Sequence, residues 1–297
     1  MSTVNTPLQQ LPQESFAELA PRAEGSVAPP RPDPDDPPWG VPAAVLMWLS
    51  SFLLLAFVPA LALLAYLAFT GQPLNEETLR NTVTNDPRGI LASVAAVIPT
   101  HLLTIALGWA LVTGFGRRPF WQTLGWSFGG GFGFWKSAGL AVLLLVLGTS
   151  ILRAVGGEAT EIDQIITSSA AARFTTAFLA TATAPFVEEL IYRGVLYSAF
   201  QRAMGALWAV VGVSTLFALV HAYQYRNNLG VIATITVLSF TLTTVRATTG
   251  RLLPCFVIHT VFNGIQSAYL VLQHFRPDLF EAAKPGLVSA HALGLLF

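Results

Sequence analysis

The stretch VPAAVLMWLSSFLLLAFVPALALLAYLAFT, residues 41–70, contains no charged side chain. A helix needs about 20 predominantly apolar residues to cross the roughly 30 Å hydrocarbon core of a bilayer, and this stretch exceeds that length. The whole chain shares this character, because 53% of its residues are hydrophobic and only 11% are charged, whereas soluble domains carry about 25% charged residues. The stretch predicts a transmembrane helix, and the composition predicts a membrane protein.

Further charge-poor stretches, each bounded by Arg or Lys, follow at residues 89–116, 137–152, 203–225, 227–245 and 252–275. Each can cross a bilayer as one helix, since a helix satisfies its own backbone hydrogen-bonding groups. The segment 172–202 is apolar at both ends and charged in its middle, and a last apolar run, GLVSAHALGLLF, ends the sequence. We expect an all-α fold, a polytopic membrane helical bundle with seven or eight transmembrane helices.

The first 40 residues differ from the rest of the chain. They contain nine prolines and too few apolar residues to offset the entropy lost on ordering. They also lack the apolar core of a cleavable signal peptide. We predict a disordered Pro-rich tail over residues 1–40 that acts as a spacer, followed by a membrane-embedded domain over residues 41–297.

Charge and cysteine content exclude several function classes. Sixteen basic and sixteen acidic residues cancel, so the chain lacks the basic excess that attracts nucleic acid. The single cysteine, Cys255, excludes an internal disulfide framework and a Cys-cluster metal site. The loop with Arg117, Arg118 and Lys136 is the most basic, whereas residues 154–172 carry only acidic charge. By the positive-inside rule, we expect a multi-pass protein of the cell membrane with a cytoplasmic amino terminus.

The stretch PFVEELIYRG, residues 185–194, places two acids and an arginine inside an apolar segment. Such a charge near the bilayer centre costs about 2.5–3.5 kcal/mol on insertion scales, so it indicates a functional site. Glu189 and Arg193 are i,i+4 neighbours and can pair, whereas Glu188 lies about 100° away, on the face of Tyr192. Glu188 is then an unpaired carboxylate suited to act as a general base. The alternative is an amphipathic helix that keeps these charges among lipid headgroups.

Two later apolar stretches carry polar residues at helical spacing. LFALVHAY places Phe217 one turn before His221, and FVIHTVFNG places His259 and Asn263 at i,i+4 on one face. Each of these residues alone more often packs or bonds between helices than takes part in chemistry. Together with Glu188 they supply, from three helices, a base, hydrogen-bond donors and candidate metal ligands.

Other catalytic designs lack the residues that they need. An aspartyl dyad is excluded, because no aspartate lies between Asp163 and Asp278, and no HExxH zinc motif is present. Cys255 shares a helix face with His259, but nothing near it in the sequence activates a thiolate. We expect His101, in IPTHLLT, to be a packing residue.

These patterns resemble those of the CPBP family of intramembrane proteases, which includes the type II CAAX prenyl endopeptidases and the Abi proteins. The patterns are Glu188-Glu189-x-x-x-Arg193, Phe217-x-x-x-His221 and His259-x-x-x-Asn263. They stand complete and in this order within residues 170–270. The resemblance implies a membrane-embedded, all-helical protease domain over residues 41–297, with a polar cavity that opens within the membrane.

The resemblance also implies a role for each motif residue. Glu188 and His221 would activate a water for attack on the scissile carbonyl group. His259 and Asn263 would hold the oxyanion that develops. Three further residues would have structural roles near the site: Glu189, Arg193 and Phe217.

One Glu and two His also form a catalytic zinc set, so Glu188, His221 and His259 are candidate metal ligands. Because the second acid is committed to an arginine, we favour a mechanism without a cofactor. We expect an endopeptidase that hydrolyses a peptide bond of a membrane-associated protein or peptide, with CAAX-type processing as one form. The lipid bilayer is then its surroundings, and no nucleic acid is a partner. The alternative is a non-catalytic membrane protein, a transporter or an immunity-type scaffold, that binds an ion or a partner through the same residues.

Overall fold

The structure is a computed structural model, and it describes residues 33–278. Every regular element among these residues is a helix. In chain order the α-helices are α1 Val41–Thr70, α2 Glu76–Thr84, α3 Pro87–Ala95, α4 Val97–Thr113, α5 Phe120–Thr123, α6 Phe134–Val155, α7 Glu161–Ser168, α8 Ala170–Phe178, α9 Ala184–Glu188, α10 Tyr197–Met204, α11 Ala206–Gln224, α12 Leu229–Thr249 and α13 Leu253–Phe275. The all-α fold expected from the sequence is therefore present.

Six helices of the described part are long and apolar enough to cross a membrane, which supports an integral membrane protein. Five of them are α1, α6, α11, α12 and α13, and the sixth is the continuous pair α3 and α4, Pro87–Thr113. The expected count of seven or eight is not confirmed. The segment 172–202 consists of shorter helical pieces, and the last apolar run, 286–297, lies outside the described residues.

Residues 170–204 are helical throughout, and we call this run the motif helix. Its α-helical pieces α8, α9 and α10 alternate with two π-helical segments, Leu179–Thr183 and Glu189–Leu196. Pro185 is the second residue after the first π-helical segment. In a regular α-helix its ring would clash with the carbonyl group four residues earlier, and the wider turn relieves that clash. π-Helical turns often occur at functional sites, and here they flank Glu188.

The centre of the bundle is formed by α12 and α13. About half of each span is buried, 56% for α12 and 50% for α13, compared with 11% for α1. Helix α12 packs against α6 and α11, and α13 packs against α6 and the motif helix. Phe217, His221, His259 and Asn263 are themselves buried, so protein covers the helix faces that carry these motif residues.

Small residues allow α6 and α12 to approach closely. A Cβ atom added to Gly148 would lie 2.5 Å from Thr234 Cγ2, and one added to Gly230 would lie 2.9 Å from the Gly156 carbonyl oxygen. Association of helices in lipid depends on such close backbone packing, because lipid tails are as apolar as the side chains. The contact holds α12, which carries part of the site, against α6.

Residues 33–39 pack against the bundle immediately before α1. The Trp39 indole donates a hydrogen bond of 3.1 Å to the Val195 carbonyl oxygen of the motif helix. Asp35 Oδ1 lies 2.6 Å from Nη1 of Arg246, whose side chain on α12 is buried. The end of the predicted Pro-rich tail is thus held in place, and its earlier part, residues 1–32, lies outside the described residues.

Candidate active site

Glu189 and Arg193 form a fully buried ion pair inside the motif helix. Arg193 Nη1 lies 3.1 Å from Glu189 Oε1, and neither side chain is exposed. A buried pair needs further hydrogen bonds to offset its lost hydration. Arg193 finds them on α12, where Nη2 donates to the carbonyl oxygen (3.1 Å) and hydroxyl oxygen (2.8 Å) of Ser239 and Nε donates to Thr243 Oγ1 (3.2 Å). The guanidinium group therefore ties the motif helix to α12.

Phe217 of α11 contacts three polar side chains of the site. Arg193 Cζ lies 4.7 Å from the Phe217 ring centroid, within cation–π distance. The His221 ring stacks on the same phenyl ring with 4.3 Å between centroids and 24° between planes. The His259 ring lies edge-on at 6.4 Å. Phe217 therefore fixes the plane of the His221 imidazole ring from one helical turn away.

The His221 side chain is buried, and one of its nitrogens is committed to the backbone. Nδ1 lies 2.8 Å from the Phe217 carbonyl oxygen. A carbonyl oxygen only accepts, so Nδ1 carries the hydrogen and donates it. In the neutral ring, Nε2 is then an acceptor.

His259 of α13 lies between the two glutamates of the motif helix. Its Nδ1 donates to Glu189 Oε1 at 2.8 Å, and its Nε2 lies 3.7 Å from Glu188 Oε2. Glu189 thus holds both Arg193 and His259 through one carboxylate oxygen. A carboxylate behind an imidazole ring fixes its orientation and its tautomer.

A cavity of about 260 Å³ lies between the motif helix and helices α1, α3, α4, α7 and α11. Its titratable lining residues are Glu188, Tyr192, His221 and His101. The Glu188 side chain is 21% exposed, so a ligand can reach its carboxylate. Most other lining residues are apolar, among them Phe52, Leu55, Val94, Val97, Ile165 and Val220. The cavity can therefore hold a largely apolar ligand beside a carboxylate and an imidazole.

Asn263 lies one turn after His259 on α13 but makes a different contact. Its Nδ2 donates a hydrogen bond of 3.0 Å to the carbonyl oxygen of Ala180, which lies in the first π-helical segment. In the described part of the chain, its side chain has no hydrogen bond to Glu188, His221 or His259. The structure thus brings together three of the four predicted catalytic residues and gives Asn263 a backbone contact on the motif helix.

The charges of the site do not cancel when both histidines are neutral. Two carboxylates, Glu188 and Glu189, face one guanidinium group, which leaves one net negative charge in surroundings of low polarity. A proton or a cation can balance that charge. Among the described residues, no group of three or more His, Cys, Asp or Glu side chains is arranged to hold a metal ion. The mechanism without a cofactor stays a prediction, and the zinc alternative with Glu188, His221 and His259 as ligands stays open.

Two features of the site were missed by sequence reasoning. The Glu189–His259 hydrogen bond joins residues 70 positions apart, and no local sequence pattern predicts it. His101, expected to be a packing residue, lines the cavity instead. Cys255, which belongs to none of the three motifs, is buried, and its thiol donates a hydrogen bond of 3.3 Å to the Leu242 carbonyl oxygen.

Comparison with protein-family models matches residues 170–265 to the family described as type II CAAX prenyl endopeptidase Rce1-like. The chain contains an Rce1-like domain. This domain spans the motif helix, α11, α12 and most of α13, so it includes Glu188, His221, His259 and Asn263. No curated protein and no solved structure matches the chain.

The Rce1-like family is a family of membrane proteases. The match leaves residues 1–169 and 266–297 outside it. Helices α1, α3 and α4 nevertheless supply one wall of the cavity that the Rce1-like domain completes. The site is therefore built by both parts of the chain.

Proposed function

We propose that this chain is an intramembrane endopeptidase that hydrolyses a peptide bond of a membrane-associated protein or peptide. The observation that supports this most directly is that Glu188 and His221, from different helices, line one cavity, while His259 Nε2 lies 3.7 Å from Glu188. The Rce1-like match supports CAAX-type processing as the form of the reaction. The protein would act as a multi-pass protein of the cell membrane with its amino terminus in the cytoplasm.

In the proposed first step, Glu188 acts as the general base. Its carboxylate takes a proton from a water molecule, and the water oxygen forms a bond to the carbonyl carbon of the substrate. His221 Nε2 accepts a hydrogen bond from the same water and orients it, since Nδ1 is held by the Phe217 carbonyl oxygen. General-base catalysis of this kind contributes about 10²–10⁴ in rate.

The second step needs donors where negative charge develops on the former carbonyl oxygen. A protonated His259 would donate from Nε2, and the Glu189 carboxylate at Nδ1 would stabilise the ring's positive charge. Asn263 would donate its second amide hydrogen, since an amide NH₂ group has two and one is held by Ala180. The C–N bond then breaks, and the proton held by Glu188 passes to the leaving amine nitrogen.

The test is a cleavage assay with purified protein in lipid nanodiscs. A membrane-anchored peptide is added in a prenylated and an unprenylated form, and the products are identified by mass. We expect the wild type to create one new amino and one new carboxyl terminus, and the double variant Glu188→Gln, His221→Ala to create none. If no peptide is cleaved, while a cellular effect of the wild type survives in the double variant, the non-catalytic alternative replaces the proposal.

The same assay tests the metal-free mechanism. A chelator is expected to leave the wild-type rate unchanged, because Glu188 and His221 activate the water without a metal ion. Loss of activity with the chelator and recovery on addition of zinc would overturn this part of the proposal. Glu188, His221 and His259 would then be the ligands to test.

A further inference from the structure

His101 lines the same cavity as Glu188 and His221 but belongs to α4, outside the Rce1-like match. Its side chain is partly buried, and Nδ1 lies 2.7 Å from Thr183 Oγ1. Thr183 ends the first π-helical segment of the motif helix, and Glu188 follows within the next helical piece. A residue of the non-matching part of the chain is thus hydrogen-bonded to the helix that carries the proposed general base.

The contact with Thr183 indicates which nitrogen of His101 is left for a ligand. The Thr183 hydroxyl has one hydrogen and two neighbouring acceptors, His101 Nδ1 at 2.7 Å and the Leu179 carbonyl oxygen at 3.4 Å. We assign the hydroxyl hydrogen to the closer acceptor, Nδ1, because 3.4 Å is long for an O–H hydrogen bond. An imidazole that accepts at Nδ1 carries its own hydrogen at Nε2. His101 therefore offers an N–H donor from Nε2.

A peptide that binds in this cavity needs hydrogen-bond donors for its backbone carbonyl oxygens. Backbone carbonyl oxygens that leave water for an apolar cavity lose free energy unless they find a partner. The Glu188 carboxylate and His221 Nε2 are acceptors, as argued above. The hydroxyl groups of Thr100 and Thr104, on the same helix as His101, donate to carbonyl oxygens of their own helix at 2.9 Å.

We propose that His101 is a substrate-binding residue, whose Nε2–H donates a hydrogen bond to a backbone carbonyl oxygen of the bound peptide. This assignment rests on the proposed function. Because the bond forms in the bound substrate and persists in the transition state, its loss raises KM and leaves kcat unchanged. One hydrogen bond between neutral groups corresponds to about a 3- to 10-fold effect.

Two substitutions separate the roles of the two ring nitrogens. His101→Gln keeps an N–H group near the position of Nε2, whereas His101→Asn keeps polar atoms only near the position of Nδ1. We expect the Gln variant to retain the wild-type KM within about twofold and the Asn variant to show a KM about 3- to 10-fold higher, with kcat unchanged in both. Thr183→Val removes the hydroxyl group that directs the tautomer, and we expect it to raise KM as well.

Peptide binding is measured separately from cleavage. In the Glu188→Gln background we expect the membrane-anchored peptide to stay intact, and its affinity is measured by fluorescence anisotropy in nanodiscs for each His101 variant. The matched control is His274, an exposed histidine at the end of α13 whose Nδ1 lies 2.9 Å from Arg173 Nη1. We expect His274→Gln and His274→Asn to leave the peptide affinity unchanged.

The opposite effects of the two His101 substitutions would overturn the substrate-binding role of His101. If His101 only supports Thr183, the Asn variant retains the wild-type KM, and the Gln variant loses kcat together with thermal stability. Equal peptide affinity in all His101 variants also overturns it. If the peptide binds with the expected pattern but neither the wild type nor any variant cleaves it, the proposed function fails while His101 remains a peptide-binding residue.

Discussion

Replacing Arg193 with methionine is expected to destabilise the protein by about 3–5 kcal/mol. The guanidinium group is fully buried and hydrogen-bonded to Glu189, Ser239 and Thr243. Methionine fills a similar volume, so the cost arises from the buried Glu189 carboxylate, which keeps His259 as its remaining partner. Folded domains are stable by about 5–15 kcal/mol, so the substitution removes a large part of the total.

The chain provides a matched control for this prediction. Glu76 and Arg80 have the same i,i+4 spacing and lie 3.2 Å apart, but their side chains are 89% and 76% exposed. Exposed pairs contribute little because water screens them, so Arg80→Met is expected to leave stability nearly unchanged. Replacing both members of the buried pair, Glu189→Leu with Arg193→Met, removes the unpaired charge and is expected to recover part of the stability.

The assay is equilibrium unfolding of the purified protein in mixed micelles with a rising fraction of sodium dodecyl sulfate. Tryptophan fluorescence reports the transition, and cleavage activity is recorded on the same samples. If Arg193→Met loses no more stability than Arg80→Met, the buried pair does not hold the motif helix. If it is stable but inactive, Arg193 belongs to the catalytic site.

Three further predictions concern packing, the oxyanion and pH. Gly148→Val is expected to lower the unfolding midpoint, because its Cβ would lie 2.5 Å from a Thr234 methyl group. Gly139→Ala is expected to leave the midpoint unchanged, because a Cβ there would meet no atom within 4 Å. Asn263→Ala is expected to lower kcat by about 10²–10³ in the cleavage assay, since one oxyanion donor is lost. The Tyr66 hydroxyl, which donates 2.6 Å to Asp86, holds the pKa of that carboxyl below its usual range. The ionised Asp86 carboxylate then contributes its full stabilisation above about pH 4, and this stabilisation is lost as the pH falls through the lowered pKa. The stability of Asp86→Asn, plotted against pH, should lack this decrease.

Local spacing predicted the features that depend on a single helix. Charge-free stretches predicted the long helices, because length and hydropathy decide whether a segment can span a bilayer. The i,i+4 rule brought Glu189 and Arg193 together, because neighbouring turns of one helix meet whatever the rest of the fold does. The two π-helical segments were not predicted, because no local spacing in the sequence distinguishes a π-helical turn from an α-helical one.

Contacts between helices were not readable from the sequence. Glu189 binds His259 of α13, and Asn263 binds the Ala180 carbonyl oxygen, because of the rotation and depth at which α13 packs against the motif helix. His101 was expected to pack, since an isolated histidine on an apolar helix gives no sign of its partners. The family patterns lie within residues 170–265, whereas one cavity wall comes from earlier helices that no motif marks.

The role of Glu188 as the base is decided by the cleavage rate constant of Glu188→Gln relative to wild type. Both proteins are reconstituted in nanodiscs, and a single turnover of membrane-anchored peptide is followed with the enzyme in excess. Glutamine keeps the shape of the side chain but cannot take a proton from water, so we expect a rate constant about 10²–10⁴ lower with an unchanged unfolding midpoint. A rate constant equal to that of the wild type would show that another group activates the water.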